Sequence, residues 1–99
     1  MNEEPQAPIW KDDPDNSTLL VGPEALPVTV YVERWPRRPE WWSVSVCADE
    51  GSQAFPIHGS GHAAPGHPSR EAAKAAGLEA LSTWLRTVAE QTSAAMAAL

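Results

Sequence analysis

Two runs of alternating apolar and polar residues constrain the fold of this chain more than any other feature. Valines alternate with polar or amphipathic residues over 28–33, and the run 42–48 repeats the pattern. A two-residue period is typical of a β-strand with one buried face. Pro36 and Pro39 separate the two runs and belong to a connection, because proline cannot donate to a strand ladder. The runs therefore predict an antiparallel hairpin.

The apolar residues also predict the register of this hairpin. If the turn is centred at Arg37, the larger apolar side chains of both strands lie on one side of the sheet, and a shift by one residue would expose one whole set. The predicted cross-strand pairs are Val32 with Trp42, Val30 with Val44, and Val28 with Val46. A third, shorter strand is predicted at 54–58, at the sheet edge because it contains Pro56. The run 18–21 predicts a further edge strand or a lead-in to the sheet.

A single long helix is predicted after the strands. Ser69 is a favourable N-cap, and Glu71 in the first turn complements the helix dipole. The helix is expected to run from about Arg70 to about Thr92. Because glycine costs about 1 kcal/mol relative to alanine inside a helix, Gly77 indicates a close approach of the helix to the strands. The apolar stripe of this helix comprises Ala73, Gly77, Leu78, Leu81, Trp84, Leu85 and Val88.

Together these elements predict an α+β fold of two layers. The sheet is an antiparallel meander of three or four strands, and one long C-terminal helix packs on one of its faces. The 99 residues suffice for one domain with one small core. We expect a flexible acidic arm at 1–16, a single β-β-β-α domain at 17–92, and a frayed alanine-rich tail at 93–99.

Negative charge is concentrated at the N-terminal end. Residues 1–24 carry six of the 13 acidic residues and one of the seven basic residues, which is −5 of the net charge of −6. Nucleic acid is disfavoured as a partner, because attraction to phosphates needs a basic surface. No apolar run approaches the roughly 20 residues that span a bilayer, and the acidic start is unlike a signal peptide. We therefore expect no membrane partner and a cytoplasmic protein.

Aromatic and basic residues predict a binding surface for a protein partner. The sheet face away from the helix would expose two aromatic residues, and the hairpin tip combines a tryptophan with arginines. Tryptophan and arginine are enriched where interfaces concentrate their binding energy. The predicted residues are Tyr31 and Trp41 on the sheet face and Trp35, Arg37 and Arg38 at the tip. The alternative is that Ile9 and Trp10 of the N-terminal arm cover the two aromatic residues of the face.

Three histidines within ten residues are the candidate metal ligands. His58, His62 and His67 could meet in a glycine-rich loop, with Cys47 as a fourth ligand for zinc or copper. Their spacing matches no short metal-binding motif, and a loop does not fix its ligands as a helix or strand does. The sequence therefore assigns no metal, no cofactor and no catalytic residue, and it predicts a protein that is not an enzyme.

A series of short motifs follows the two central strands. These motifs are Phe55-Pro56, a glycine-bearing loop that ends at Gly66, and a helix that contains Glu71-Ala72 and Ala76. Their order over residues 28–88 resembles the HicB family, the antitoxin half of bacterial toxin–antitoxin pairs. The resemblance implies a partner-binding domain without catalytic residues. The chain differs from the family at Ile57, where an acidic residue is common, and it has no DNA-binding segment after the helix, so promoter binding is not implied.

These observations favour a small non-enzymatic protein-binding module, expected to be dimeric, that recognises a protein through the open sheet face or the hairpin tip. One alternative is an antitoxin-like or phage-encoded inhibitor whose acidic arm occupies a basic site on a target enzyme. Another alternative is a metal-binding protein that uses the histidine-rich loop.

Overall fold

A computed structural model describes residues 7–23, 27–50, 53–59 and 66–99 of the chain. This part of the chain forms a five-stranded antiparallel sheet, in which the strands are neighbours in sequence order, and one helix. The elements are β1 (Lys11–Asp13), β2 (Asn16–Val21), β3 (Val28–Arg34), β4 (Trp42–Glu50), β5 (Gln53–Gly59) and α1 (Arg70–Ala97). The α+β meander with one long C-terminal helix is confirmed, but the sheet has five strands and not three or four.

The additional strand, β1, lies in the segment that was predicted to be a flexible arm. Lys11 pairs with Thr18, and Asp13 pairs with Asn16 across a tight turn. Pro14 and Asp15 form this turn, which their side chains favour, so the acidic segment gains a ladder of backbone hydrogen bonds that its composition did not predict. The arm prediction is wrong from β1 onward, and residues 1–6 lie outside the described part.

The register of the central hairpin is shifted by two residues from the predicted one. Val30 pairs with Val46 and Val32 with Val44, so the turn is centred at Arg38. The reason is the turn itself, in which the Trp41 N–H donates to the carbonyl oxygen of Arg38 at 2.9 Å. A shift of two residues keeps every side chain on its predicted face, because the period of a strand is two.

The edge strand β5 is irregular beside its proline. Cys47 pairs with Pro56, and Val46 pairs with His58, so Ile57 is the extra residue of a β-bulge. Since Pro56 has no N–H to donate, its place on an edge strand next to a bulge is the expected one.

The core lies between the sheet and the first half of α1. The helix packs on β3, β4 and β5. A Cβ atom on Gly77 would lie 2.7 Å from methyl groups of both Val30 and Val44, which confirms the close approach inferred from the glycine. The buried apolar side chains of this core are Leu19, Val30, Val32, Trp42, Val44, Val46, Ala73 and Leu81.

Helix α1 is longer than predicted and only its first half is covered by the sheet. Ser69 caps its start by accepting a hydrogen bond from the Ala72 N–H at 3.0 Å. The helix continues through 28 residues to Ala97, because the alanine-rich tail that was predicted to fray has a high helix propensity. Every residue from 82 to 99 is exposed. We call residues 82–99 the free segment.

The predicted apolar stripe is therefore divided between two environments. Ala73, Gly77 and Leu81 are buried against the sheet, as predicted. The other four members of the stripe are 40–49% exposed, and three of them lie beyond Leu81, where the sheet no longer covers the helix. These four are Leu78, Trp84, Leu85 and Val88.

Candidate functional site

Two adjoining cavities lie at the tip of the β3–β4 hairpin. The larger has a volume of about 450 Å³, and Tyr31, Arg34 and Trp35 are among its lining residues. The smaller, of about 300 Å³, is lined by Trp35, Pro36, Arg37 and Arg38. The structure thus places four of the five predicted site residues around two neighbouring cavities that share Trp35. Trp41 is not among the lining residues of either cavity.

The Trp35 indole is buried and does not project from the hairpin tip. Its exposed fraction is 7%. A Cβ atom on Gly66 would lie 2.9 Å from Trp35 Cζ2 and 3.1 Å from Trp41 Cβ, so the absence of a side chain at Gly66 allows this packing. Trp35 is part of the wall of the cavities, and Trp41 is half-buried beside the same glycine. The prediction that Trp35 binds a partner at the hairpin tip therefore concerns a buried side chain, of which little is open to a partner.

The basic residues at the tip differ in how their charge is compensated. The Arg34 Nε lies 3.3 Å from the Asp15 carboxylate, and Arg34 Nη1 donates to the carbonyl oxygen of Pro39 at 3.2 Å. Arg37 and Arg38 are exposed. These two guanidinium groups beside an apolar cavity wall could bind a carboxylate-bearing segment.

The sheet face opposite the helix is mostly polar. The Tyr31 hydroxyl donates to Glu33 Oε2 at 3.2 Å. Partial burial raises the pKa of Tyr31 above its ordinary value, and the negative charge of Glu33 adds to the effect, so the hydroxyl stays a proton donor at neutral pH. The residues beside Tyr31 on this face are threonines and serines, which a sheet can present to water without a second layer.

The N-terminal arm does not cover this face through its aromatic residue. Trp10 packs against the core on the helix side of the sheet, where Lys74 Nζ lies 4.8 Å from its ring centroid. Ile9 is 83% exposed. The alternative in which these two residues shield Tyr31 and Trp41 is therefore wrong.

A cluster of charged residues joins the start of α1 to the β1–β2 hairpin, and the sequence analysis missed it. Lys74 Nζ lies 2.9 Å from Asp12 Oδ1, and the Ser17 hydroxyl donates to the same oxygen at 2.6 Å. These hydrogen bonds, that of Ser17 first and that of Lys74 second, lower the pKa of the Asp12 carboxyl below its ordinary value of 3.8. Lys74 is buried, so the half-exposed Asp12 carboxylate compensates the charge of a side chain that has little access to water.

Arg70 completes the cluster from the first turn of the helix. Its Nη2 donates to the carbonyl oxygen of Pro14 at 2.6 Å and its Nη1 to the Ser17 hydroxyl at 3.2 Å. The guanidinium carbons of Arg70 and of Arg34 each lie 4.7 Å from the Trp42 ring centroid. No local sequence signal could have revealed these contacts, because their partners are 53 and 56 residues apart. The cluster fixes the helix on the sheet.

The candidate metal ligands do not form a cluster in the described part of the chain. His58 pairs with Val46 on β4. His67 forms a β-bridge with Trp42, which lies four residues before Val46 on the same strand. The two positions on β4 with which the histidines pair are therefore roughly 13 Å apart. Among the described residues there is no group of three or more histidine, cysteine or acidic side chains that could hold a metal ion. His62 lies outside the described residues.

The free segment of α1 carries the largest exposed apolar side chains of the helix. Trp84 is 40% exposed, Leu85 49%, Val88 40% and Met96 68%. They lie on the same face of the helix as Gly77 and Leu81. The face that packs on the sheet in the first turns is therefore exposed to solvent in the later turns. Helix α1 has no stretch that is apolar enough to cross a membrane.

Comparisons with known proteins give this chain no relative. No protein family, no curated protein and no solved structure matches it.

Proposed function

We propose that this protein is a non-enzymatic protein-binding module and that its principal binding surface is the apolar face of the free segment. The observation that carries the proposal is the exposure of Trp84, Leu85 and Val88 on a helix whose preceding turns are buried in the core. Large contiguous apolar patches on a soluble domain are typical of interaction sites.

The folded domain supplies what such a surface needs, which is a rigid support. The first turns of α1 are fixed to the sheet by Gly77 in the core and by Arg70 and Lys74 at the β1–β2 hairpin. A helix held at one end presents its free face with less loss of conformational entropy than a disordered segment would incur on binding. This arrangement favours helix-to-helix recognition.

The free segment is better suited to protein binding than the two surfaces first considered. The open sheet face is mostly polar, with Tyr31 bonded to Glu33 within the face itself. At the hairpin tip, Trp35 is buried. The exposed Arg37 and Arg38 beside the smaller cavity support a secondary site for an acidic segment of the same partner.

The inhibitor alternative depends on an acidic arm that is available to a target. The Asp12 carboxylate already bonds to Ser17 and Lys74 within the chain. An external basic site would have to compete with these contacts, so the free segment is the stronger proposal.

Affinity capture from extracts of the native host tests the proposed surface with matched baits. The first bait is the wild-type protein, and the second is Leu85→Glu/Val88→Glu, which places two charges on the apolar face. The third is Thr83→Glu/Thr87→Glu, which adds the same charge to exposed positions outside that face. We expect proteins, including native copies of the chain, that are retained by the first and third baits and lost from the second. Equal retention by all three baits would contradict the proposal.

A further inference from the structure

We infer that the free segment binds the same segment of a second copy of this chain, in antiparallel orientation. This inference rests on the proposed function, since it names the occupant of the proposed surface. It follows from the spacing of the apolar residues, the position of the sheet, the sizes of the side chains and the placement of the charges.

The spacing of the residues along the free segment is that of a two-helix interface. Alternating steps of four and three residues lead from Leu81 to the end of the chain. The positions reached are Leu81, Leu85, Val88, Thr92, Ala95 and Leu99. A seven-residue repeat of this kind keeps one face toward a partner helix along its whole length. Trp84 and Met96 flank this line and widen the apolar face.

The sheet excludes the parallel orientation. Ala73, Gly77 and Leu81 show that the side of α1 that carries the apolar face is occupied by the sheet over the first three turns. In a parallel pair, the first turns of the second helix would lie at that same level and would collide with the sheet. In an antiparallel pair, helix α1 of the second copy ends near Leu81, which is the last residue of the first helix that the sheet covers. The free segment of about 27 Å is then used over its full length.

Side-chain size independently favours the antiparallel orientation. The large residues Trp84 and Leu85 lie in the half of the free segment nearest the sheet, and the other half of the line carries the smaller Thr92 and Ala95, with Met96 beside them. An antiparallel pair places the large Leu85 against a small residue of the second copy, which lets the two helices pack closely there. The resulting layers are Leu85 against Ala95 of the second copy and Val88 against Thr92.

Charge allows a second copy to approach along this face. The chain has a net charge of −6, but residues 82–99 contain only Arg86 and Glu90 as charged side chains, which cancel. In the seven-residue repeat both occupy outward positions. The contact is therefore free of like-charge repulsion between copies.

The area is sufficient for an association of two copies. The exposed fractions of Trp84, Leu85, Val88, Met96 and Leu99 range from 40% to complete exposure. They amount to apolar surface on the order of 600 Å² per copy, close to the roughly 800 Å² per partner of a standard interface. Two copies related by a two-fold axis would each bury this surface against the other. The assembly is then a closed dimer, because no copy of the surface is left to bind a third chain.

Sedimentation equilibrium of the purified protein tests self-association. We expect a dimer for the wild type and for Thr83→Glu/Thr87→Glu, and a dissociation constant raised roughly 100-fold or more for Leu85→Glu/Val88→Glu, because two charges per copy would be buried. The substituted positions are exposed, so these variants should keep the wild-type far-ultraviolet circular dichroism. A wild type that stays monomeric at several hundred micromolar would overturn the inference, and so would an equal effect of the two double variants.

Disulfide trapping tests the orientation. In a Cys47→Ser background, Val88→Cys and Thr92→Cys proteins are oxidised separately and as a mixture. Antiparallel pairing places these two positions opposite one another, so we expect covalent dimers from the mixture and not from either protein alone. Parallel pairing would place each position opposite itself, and dimers from the separate proteins would overturn the inference.

The results for this inference and for the proposed function can be told apart. A monomeric wild type whose apolar face still captures a different host protein would refute self-pairing alone. If Leu85→Glu/Val88→Glu changes neither self-association nor capture, the proposed binding surface is refuted as well.

Discussion

At the scale of single residues, Gly77 sets the distance between the helix and the sheet. Gly77→Ala would improve helix propensity by about 1 kcal/mol but would place a methyl group 2.7 Å from methyls of Val30 and Val44. Overpacking of a filled core costs about 1–3 kcal/mol. We therefore expect a lower free energy of unfolding, measured by urea denaturation. In a Val30→Ala/Val44→Ala background the same change should cost less, and an equal cost there would show that the close contact is not the cause.

Asp12 gives the protein a specific dependence on pH. Its pKa is lowered in the folded state by Ser17 and Lys74, so the carboxylate stabilises the fold above its unfolded pKa of 3.8. This contribution is lost as the pH falls through the lower, folded pKa. We expect Asp12→Asn to be less stable than wild type at pH 6 and the difference to shrink below pH 4. Thermal denaturation at a series of pH values measures it.

The control for this pH dependence is Asp13→Asn, an exposed position on the same strand. It removes the same charge without touching Ser17 or Lys74. Identical pH profiles for the two variants would show that net charge, and not the contacts of Asp12 with Ser17 and Lys74, causes the effect.

At the scale of elements, Arg70 attaches the start of α1 to the β1–β2 hairpin. Arg70→Ala would remove hydrogen bonds to Pro14 and Ser17 and the stacking on Trp42. We expect it to lower the free energy of unfolding by about 2 kcal/mol. Arg70→Lys should lose most of this stability too, because one ammonium group cannot bond to the turn and stack on the ring together.

Arg86 provides the matched control on the same helix. It lies in the free segment, so Arg86→Ala should change the free energy of unfolding by less than about 0.5 kcal/mol. Equal losses from Arg70→Ala and Arg86→Ala in chemical denaturation would show that helix content, and not attachment to the hairpin, determines stability.

At the scale of the whole molecule, self-pairing links stability to protein concentration. Association through residues 82–99 stabilises the folded chain by mass action. For the wild type we expect Tm to rise by about 3–5 °C per tenfold increase in concentration above the dissociation constant. Leu85→Glu/Val88→Glu should show a constant Tm over the same range in scanning calorimetry. A constant Tm for both proteins would contradict the coupling of association to folding.

Periodic patterns in the sequence determined the elements and their buried faces. The alternation in 28–33 and 42–48 predicted the two central strands, and the spacing after Ser69 predicted the helix and its contact at Gly77. Such features follow from sequence because the periods of strands and helices are local properties of the backbone. The aromatic and basic residues of the hairpin tip stay a predicted binding surface, and the burial of Trp35 was not predicted from the sequence.

Only the tertiary structure decided which patterns become surfaces. The strand β1, the contacts of Asp12 and Arg70, and the end of the sheet before Trp84 all depend on residues distant in sequence. An apolar stripe looks the same in the sequence whether a sheet covers it or stops short of it. The size of the sheet, set by how its strands pair, therefore decided that half of this stripe forms the core and the other half faces solvent.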